Sequence, residues 1–476
     1  MTLWAAADAA EATGGRVTSD WRADGISIDT RSLQPGDLFI ALSAARDGHD
    51  FVADALAKGA AAAVVSRVPE GVAPDAPLLV VPDVMDALRA LGSAGRARSR
   101  AQVIGITGSV GKTSTKDMAR EMLAEFGKVH AAEASFNNHW GVPVTLARLP
   151  QDADFAVIEM GMSNAGEIAP LTALARPNVA IVTAVAPAHL ESLGSLDAIA
   201  QEKASIFAGL EPGGTAIYPA GLPTSPILDA AAADHAASCL PFGEGDLPLH
   251  LHDIRQTETA LVLRAKVGRM ALAVRLVNSG AHAAGNALAC LGVAHALGLD
   301  LARAALALGR WQPPAGRGLR QKIMLDPVEE ASFTLIDDAF NANPASMSAA
   351  LALLAQTKPG PNGRRIAILG DMLELGPDAG AMHAALAGDP AMAQVRLVHC
   401  VGPLMAKLHA ALPLRQRGRS TQAAEALLDH VHTLVAPGDV VLVKGSKGSR
   451  VSRVVDALRG LDTTSSQKKG LQCYSG

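Results

Sequence analysis

Lys112 and Thr113 stand side by side near the middle of "VIGITGSVGKTSTKDM", Val103 to Met118. An ammonium and a hydroxyl placed just after glycines suit a phosphate chain and its Mg²⁺ ion. Val103 to Ile106 reads as a buried strand and Lys112 to Ala124 as a helix. The N–H groups of the turn and of the helix start would then point at phosphate oxygens. Glycines let the backbone approach those oxygens with φ angles that a Cβ forbids. The strict spacing G-x-x-x-x-G-K-[ST] is nevertheless not met. Ile106 holds the place of the first glycine, and the glycines fall at Gly105, Gly108 and Gly111. A plain glycine-rich turn is the alternative, but strand, G-K-T and helix come in the order a nucleotide site needs. The residues expected to touch the nucleotide are Gly108, Ser109, Val110, Gly111, Lys112, Thr113 and Ser114.

Other candidates lie at the ends of apolar runs. Glu159 closes "FAVIEM", where open α/β sheets place ligands, and a carboxylate there suits Mg²⁺. His189 follows "NVAIVTAV", and Lys203 lies on the next helix. By spacing alone these two also read as a structural histidine and a solvated lysine. Asn286 interrupts an apolar helix that starts at Ala283. Asp337 and Asp338 end the run "FTLID", before a turn that Asn341, Asn343 and Pro344 would form unaided. "GDMLELG" and "VKGSKGSR" are further strand-end loops, each weak alone.

The elements that must position these residues fall into three blocks of an α/β chain. Residues 1–85 hold short strand-like runs, "GISIDT", "GDLFIAL", "AAAVVS" and "PLLVVPD", around the helical stretch "DFVADALAKGA". Residues 86–311 open with a helix and then alternate apolar strands with helices, which predicts a parallel sheet covered on both faces. The stretch "RWQPPAGRG" breaks the pattern, since Pro313 and Pro314 cannot continue a helix. Residues 312–476 repeat the alternation through "FTLID", "RRIAILGD", "VRLVHCVG" and "DVVLVKG", a second doubly wound domain. The tail "TTSSQKKGLQCYSG" is polar and reads as loose.

Composition sets the frame. A chain of 476 residues, 49% hydrophobic and 18% charged, reads as globular protein. At roughly 150 residues per domain it divides into about three. A net charge of -4 leaves no basic footprint for nucleic acid. No apolar run approaches the roughly 18 residues that span a bilayer, so no membrane insertion is expected. The start carries Asp8 and Glu11 without a basic region, so no signal peptide is expected. Cys239, Cys290, Cys400 and Cys473 lie far apart, which fits reduced cytosol rather than a zinc site or a disulfide frame.

Together "GITGSVGKT", "IEMG", "AHLE" and "DDAFNANP" resemble the Mur ligases of peptidoglycan synthesis, over nearly the whole chain. The family loop is usually T-G-T-N-G-K-T, from which "TGSVGKT" departs at Ser109 and Val110. "SIDTRSLQPGDLFIALSAARDGHDF" resembles the UDP-binding domain shared by the last two ligases of the series. "SFNNHWGVPVTLARL", "DDAFNANPASM" and "LGDMLELG" are most similar to the last of them. His139 and Phe340 stand where the family usually carries other residues, Tyr in the case of Phe340.

The resemblance implies three domains: a small UDP-binding domain, a central P-loop ATPase domain and a C-terminal Rossmann-like domain. It implies ATP and Mg²⁺, with UDP-N-acetylmuramoyl-tripeptide and D-Ala-D-Ala as partners. ATP would phosphorylate the peptide's terminal carboxylate, and the free amine of D-Ala-D-Ala would attack the acyl phosphate. Lys112, Glu159, His189 and Lys203 would form the catalytic group. Thr113, Glu159 and His189 would hold metal, as would Lys203, matching a family lysine that becomes carbamylated. Asn286 would meet the adenine or its surroundings, Arg317 the phosphates and Asp338 the ribose. Thr30, Arg31 and Ser32, with Asn137 and Asn138, would meet the substrate. The chain is expected to act as a cytoplasmic monomer, and the third peptide residue, diaminopimelate or lysine, is left open. The alternatives are another Mur-type or a folylpolyglutamate-type ligase, or a nucleotide-binding protein without catalysis. "TRSLQPGDLFIAL" weighs against the folylpolyglutamate type, and the four catalytic candidates together weigh against the last.

Overall fold

The computed structural model describes residues 2–43, 46–73, 75–132, 136–188, 190–257, 260–277, 279–281 and 283–463. His189 and the tail from residue 464 lie outside the described residues. The described chain builds three sheets of five, nine and six strands, with a two-stranded ribbon near the start. It is an α/β protein with largely parallel sheets.

The five-stranded sheet runs Arg16–Val17, Leu78–Val80, Ala62–Val65, Asp37–Ile40 and Gly25–Ser27 in space, parallel except for the first pair. The expected helix within it divides into a 3₁₀ turn, Gly48–Phe51, and a helix, Val52–Ala57. The sequence reading also lacks a helix at Ala6–Thr13, closed by Gly14 at φ 66°. Helix Val84–Arg98 buries Leu88 and Leu91 in one core with Trp4 and Ile26, together with Val144 and Ala147. A further tie is Arg148, whose Nε donates to the Ile26 carbonyl at 2.7 Å.

The nine-stranded sheet carries the glycine loop. Strand Gln102–Thr107 lies between Phe155–Glu159 and Val179–Val182, all parallel. Along it Val103 packs into one core, while Ile104 and Ile106 pack into the core on the opposite face. Helices cover both faces, so side chains pointing either way are apolar, and the run reads as continuous rather than alternating. The sheet also extends through an antiparallel meander, Leu249–Gln256, Ala260–Val267 and Met270–Val277, which the sequence reading lacks.

The six-stranded sheet starts with the antiparallel pair Leu319–Asp326 and Ala331–Asp338. Val440–Lys444, Arg365–Gly370, Leu397–Val401 and Arg417–Thr421 then follow in parallel. No helix or strand covers 309–318, the break expected at "RWQPPAGRG". No helix among the described residues is long and apolar enough to cross a membrane.

Candidate functional site

The glycine loop bridges strand Gln102–Thr107 and helix Lys112–Leu123. Gly108 has φ 151°, and a Cβ there would lie 1.9 Å from Thr183 Oγ1. Gly111, at φ 90°, would bring a Cβ within 2.7 Å of Asn286 Oδ1. These two glycines are therefore required by conformation and by close approach. Gly105 is different: it sits inside the strand, where a Cβ would meet Met160 and Pro177 at 3.3 Å. Ile106 also lies in the strand, paired with Glu159 and Ile181. The missing glycine is thus a buried strand residue, and the turn simply starts later.

The loop is fastened from outside. Ser109 N donates to the Ala184 carbonyl at 2.8 Å, and Ser109 Oγ accepts from Ala186 N at 3.0 Å. Thr183 Oγ1 donates to the Val110 carbonyl at 2.6 Å. A loop held so firmly keeps its N–H groups aimed without the cost of ordering them on binding.

Five side chains converge here. Thr113 Oγ1 donates to Glu159 Oε1 at 3.2 Å, and Asn137 Nδ2 donates to the same oxygen at 2.7 Å. Glu159 is 2% exposed, and its other oxygen, Oε2, is buried with no hydrogen-bond partner. Arg317, from the break before the six-stranded sheet, reaches across and donates from Nη2 to Thr113 Oγ1 at 3.0 Å. Lys112 Nζ donates to the Gly108 carbonyl at 2.6 Å. Burial pushes the Lys112 pKa down, Glu159 opposes this and Arg317 adds to it.

A cleft of about 470 Å³ lies over these groups, lined by the loop, Asn137, Asn138, Glu159, Glu167 and Asn286 on one side. Arg317, Asp338, Phe340 and Lys444 line the other. The Arg317 guanidinium stacks over the Phe340 ring at 4.2 Å, so an aromatic face survives at the position where the family usually has Tyr. Asp338 accepts from Lys444 Nζ at 2.8 Å, and the two are direct partners in neighbouring strands. Lys444 is a site residue that the sequence reading missed. Asp337 turns elsewhere, to Gly316 N and the Arg459 guanidinium. Asn343 caps helix Pro344–Gln356 in a capping box with Ser346, as its turn role predicts.

Not every expected residue meets in this cleft. Asn138 reaches it, but its Oδ1 accepts from Gly141 N at 2.9 Å, at the start of helix Gly141–Ala147. Lys203, on helix Leu196–Ala204, is 1% exposed and absent from the cleft lining. Burial first, then the Lys112 charge, drive its pKa well below the ordinary lysine value against the pull of Glu202. Thr30, Arg31 and Ser32 form a turn outside the cleft lining. The Arg31 side chain is 83% exposed and bonded to Asp29, Nη2 to Oδ2 at 2.5 Å.

Glu159 Oε2 and the Thr113 hydroxyl are hard oxygen donors, and the orphaned carboxylate oxygen fits a Mg²⁺ ion that also takes phosphate oxygens. Among the described residues no three His, Cys, Asp or Glu cluster as a metal cage. Mg²⁺ that shares its shell with phosphates and water needs no such cage.

Three segments match family descriptions: Mur ligase family, catalytic domain, over residues 22–96; Mur ligase middle domain over 106–294; and Mur ligase, glutamate ligase domain, over 325–447. A UDP-N-acetylmuramoyl-tripeptide–D-alanyl-D-alanine ligase of Synechocystis sp. is 34% identical, over 94% of this chain and 95% of its own. The crystal structure of MurF from Acinetobacter baumannii superposes with a TM-score of 0.83 at 29% identity, covering 96% of this chain and 99% of that one. MurF ligase from Thermotoga maritima in complex with ADP has a TM-score of 0.77 at 24% identity, covering 92% and 97%.

Proposed function

The chain belongs to the Mur ligase family, and from that premise we propose that it joins D-alanyl-D-alanine to UDP-N-acetylmuramoyl-tripeptide at the expense of ATP. The observation that carries this reading is the meeting of two blocks over one phosphate loop. Arg317 reaches Thr113 at 3.0 Å, while Asp338 and Lys444 line the far wall. We take residues 1–85, 86–311 and 312–476 as the UDP-sugar, ATP and ligase domains. We place the reaction in the cytoplasm, with the chain acting as a monomer.

The chemistry needs no protein nucleophile. The peptide's terminal carboxylate attacks the γ-phosphorus, ADP leaves, and an acyl phosphate forms. The amine of D-Ala-D-Ala adds to the acyl carbon and loses a proton, and phosphate departs as the amide forms. What the protein supplies is charge and position. Lys112 and Arg317 meet the phosphates, and Glu159 with Thr113 would hold Mg²⁺, which neutralises phosphate charge when bound. Asn286, packed against Gly111, would face the adenine side, and Asp338 the ribose. His189 and a carbamylated Lys203 would hold a second metal; burial lowers the Lys203 pKa, which favours the neutral amine that CO₂ needs. Because Arg317 and Asp338 come from a different block than Lys112, the nucleotide site is complete only with both blocks together.

Phosphate release that requires both UDP-N-acetylmuramoyl-tripeptide and D-Ala-D-Ala tests the reading. Release with a pteroylglutamate and glutamate instead, or nucleotide binding without turnover, contradicts it.

A further inference from the structure

Among the described residues three carboxylates line the cleft, and two are already engaged. Glu159 bonds Thr113 and Asn137 and offers Oε2 to a metal, while Asp338 is paired with Lys444. Glu167 is the third. It lines the cleft and, among the described residues, has no ion-pair partner. Yet it is held firmly. Oε2 accepts from Ser163 N at 2.8 Å and Oε1 from Asn164 Nδ2 at 2.9 Å.

The turn carrying Glu167 is itself pinned from behind. Glu202, on the helix of Lys203, accepts from Gly166 N at 2.7 Å and from Ile168 N at 2.8 Å. Partial burial works to raise the Glu167 pKa. The bonds from Asn164 and Ser163, with the His139 charge, outweigh it, and the net shift is downward. The His139 charge acts on Glu167 without forming an ion pair with it among the described residues, so a fixed anion in a substrate cleft is left to take a cation from the substrate.

Resting on the function proposed above, we propose that Glu167 receives the side-chain ammonium of the peptide's C-terminal residue, whose carboxylate is activated. Glu159 and Glu167 bracket one strand-to-helix connection, so a peptide whose carboxylate sits near Glu159 can lay its side chain towards Glu167. The attacking amine of D-Ala-D-Ala is the wrong occupant. It must lose a proton to react, and a permanent carboxylate beside it would hold that proton on. A spectator ammonium has no such conflict. Lysine and diaminopimelate both offer one.

The test compares UDP-N-acetylmuramoyl-tripeptides ending in lysine, in diaminopimelate and in norleucine, which lacks the ammonium. In the wild type, kcat/KM for at least one ammonium peptide should exceed that for norleucine about tenfold or more, as for a hydrogen bond to a charged group. The peptide that shows it identifies the residue bound. In Glu167→Gln this ratio should fall towards one, and Glu167→Asp, which keeps the charge, should restore part of it. A wild-type ratio near one, or a ratio unchanged in Glu167→Gln, overturns the assignment. So does a change confined to the KM for D-Ala-D-Ala, which would move Glu167 to the attacking amine. A wild type that turns over none of the three peptides sinks the ligase reading itself, a result separate from loss of selectivity.

Discussion

The glycine loop and the turn at Thr30–Ser32 were both expected to grip phosphate-bearing ligands, and they are built in opposite ways. The loop is half-buried and fastened, and its lysine has no ion-pair partner among the described residues. The turn is exposed, and Arg31 is already satisfied: its bonds to Asp29 hold that carboxyl down to about 2. A cation partly withdrawn from water without a counter-ion costs stability, and a phosphate ligand would supply the missing partner. An exposed, paired arginine carries no such signature, and its pairing is the ordinary fate of a surface charge.

The largest expected effect is at the loop. Lys112→Ala should cost at least about a hundredfold in turnover, the scale for losing one preorganised charge on a transition state. Because the residue is half-buried on the loop and is not a core contact, thermal melting should stay close to that of the wild type. A normal Tm with activity within tenfold of wild type would remove Lys112 from the phosphates. Lys203 comes next. Lys203→Ala should lose most activity and regain part of it with added short-chain carboxylates. Lys203→Arg should stay inactive, since guanidinium keeps its charge and cannot be carbamylated. An active Lys203→Arg enzyme would leave the lysine outside the metal site.

A smaller effect is expected where the two blocks meet. Arg317→Ala removes one charged contact at Thr113 and the stack on Phe340, and should raise the KM for ATP about tenfold. An unchanged KM would mean that the far wall of the cleft does not touch nucleotide. The smallest effect should be at the turn. Arg31→Ala is expected to raise the KM for the UDP-tripeptide severalfold, leaving that for ATP and the Tm alone. Equal rises for both substrates would take the turn out of UDP recognition.

How much was legible follows the same division. Buried parallel strands show as apolar runs because both faces are covered, so "FAVIEM" and "DVVLVKG" locate their strands closely. Glu159 stands out because it ends such a run, and Lys112 and Thr113 because they follow the glycine turn and open a helix. Lys444 did not, because its meaning is the register that sets it opposite Asp338, 106 positions earlier in the chain. Glu167 was hidden for a similar reason: its anchors, Ser163 and Asn164, read as an ordinary polar turn. The meander from Leu249 to Val277 was missed because its exposed face mixes charged and small residues, as in "LHLHDIRQ", without the run that marks a covered strand. Gly105 was counted with the loop glycines, and only its packing against Met160 and Pro177 separates it from them.

The contrast between loop and turn is tested most directly by calorimetric titration of MgADP into the wild type, Lys112→Ala and Arg31→Ala under one buffer. Affinity should fall tenfold or more in Lys112→Ala, on the scale of a lost charge-assisted bond. In Arg31→Ala it should match the wild type. Equal losses in both variants, or a loss in Arg31→Ala alone, would contradict the assignment of the nucleotide to the glycine loop.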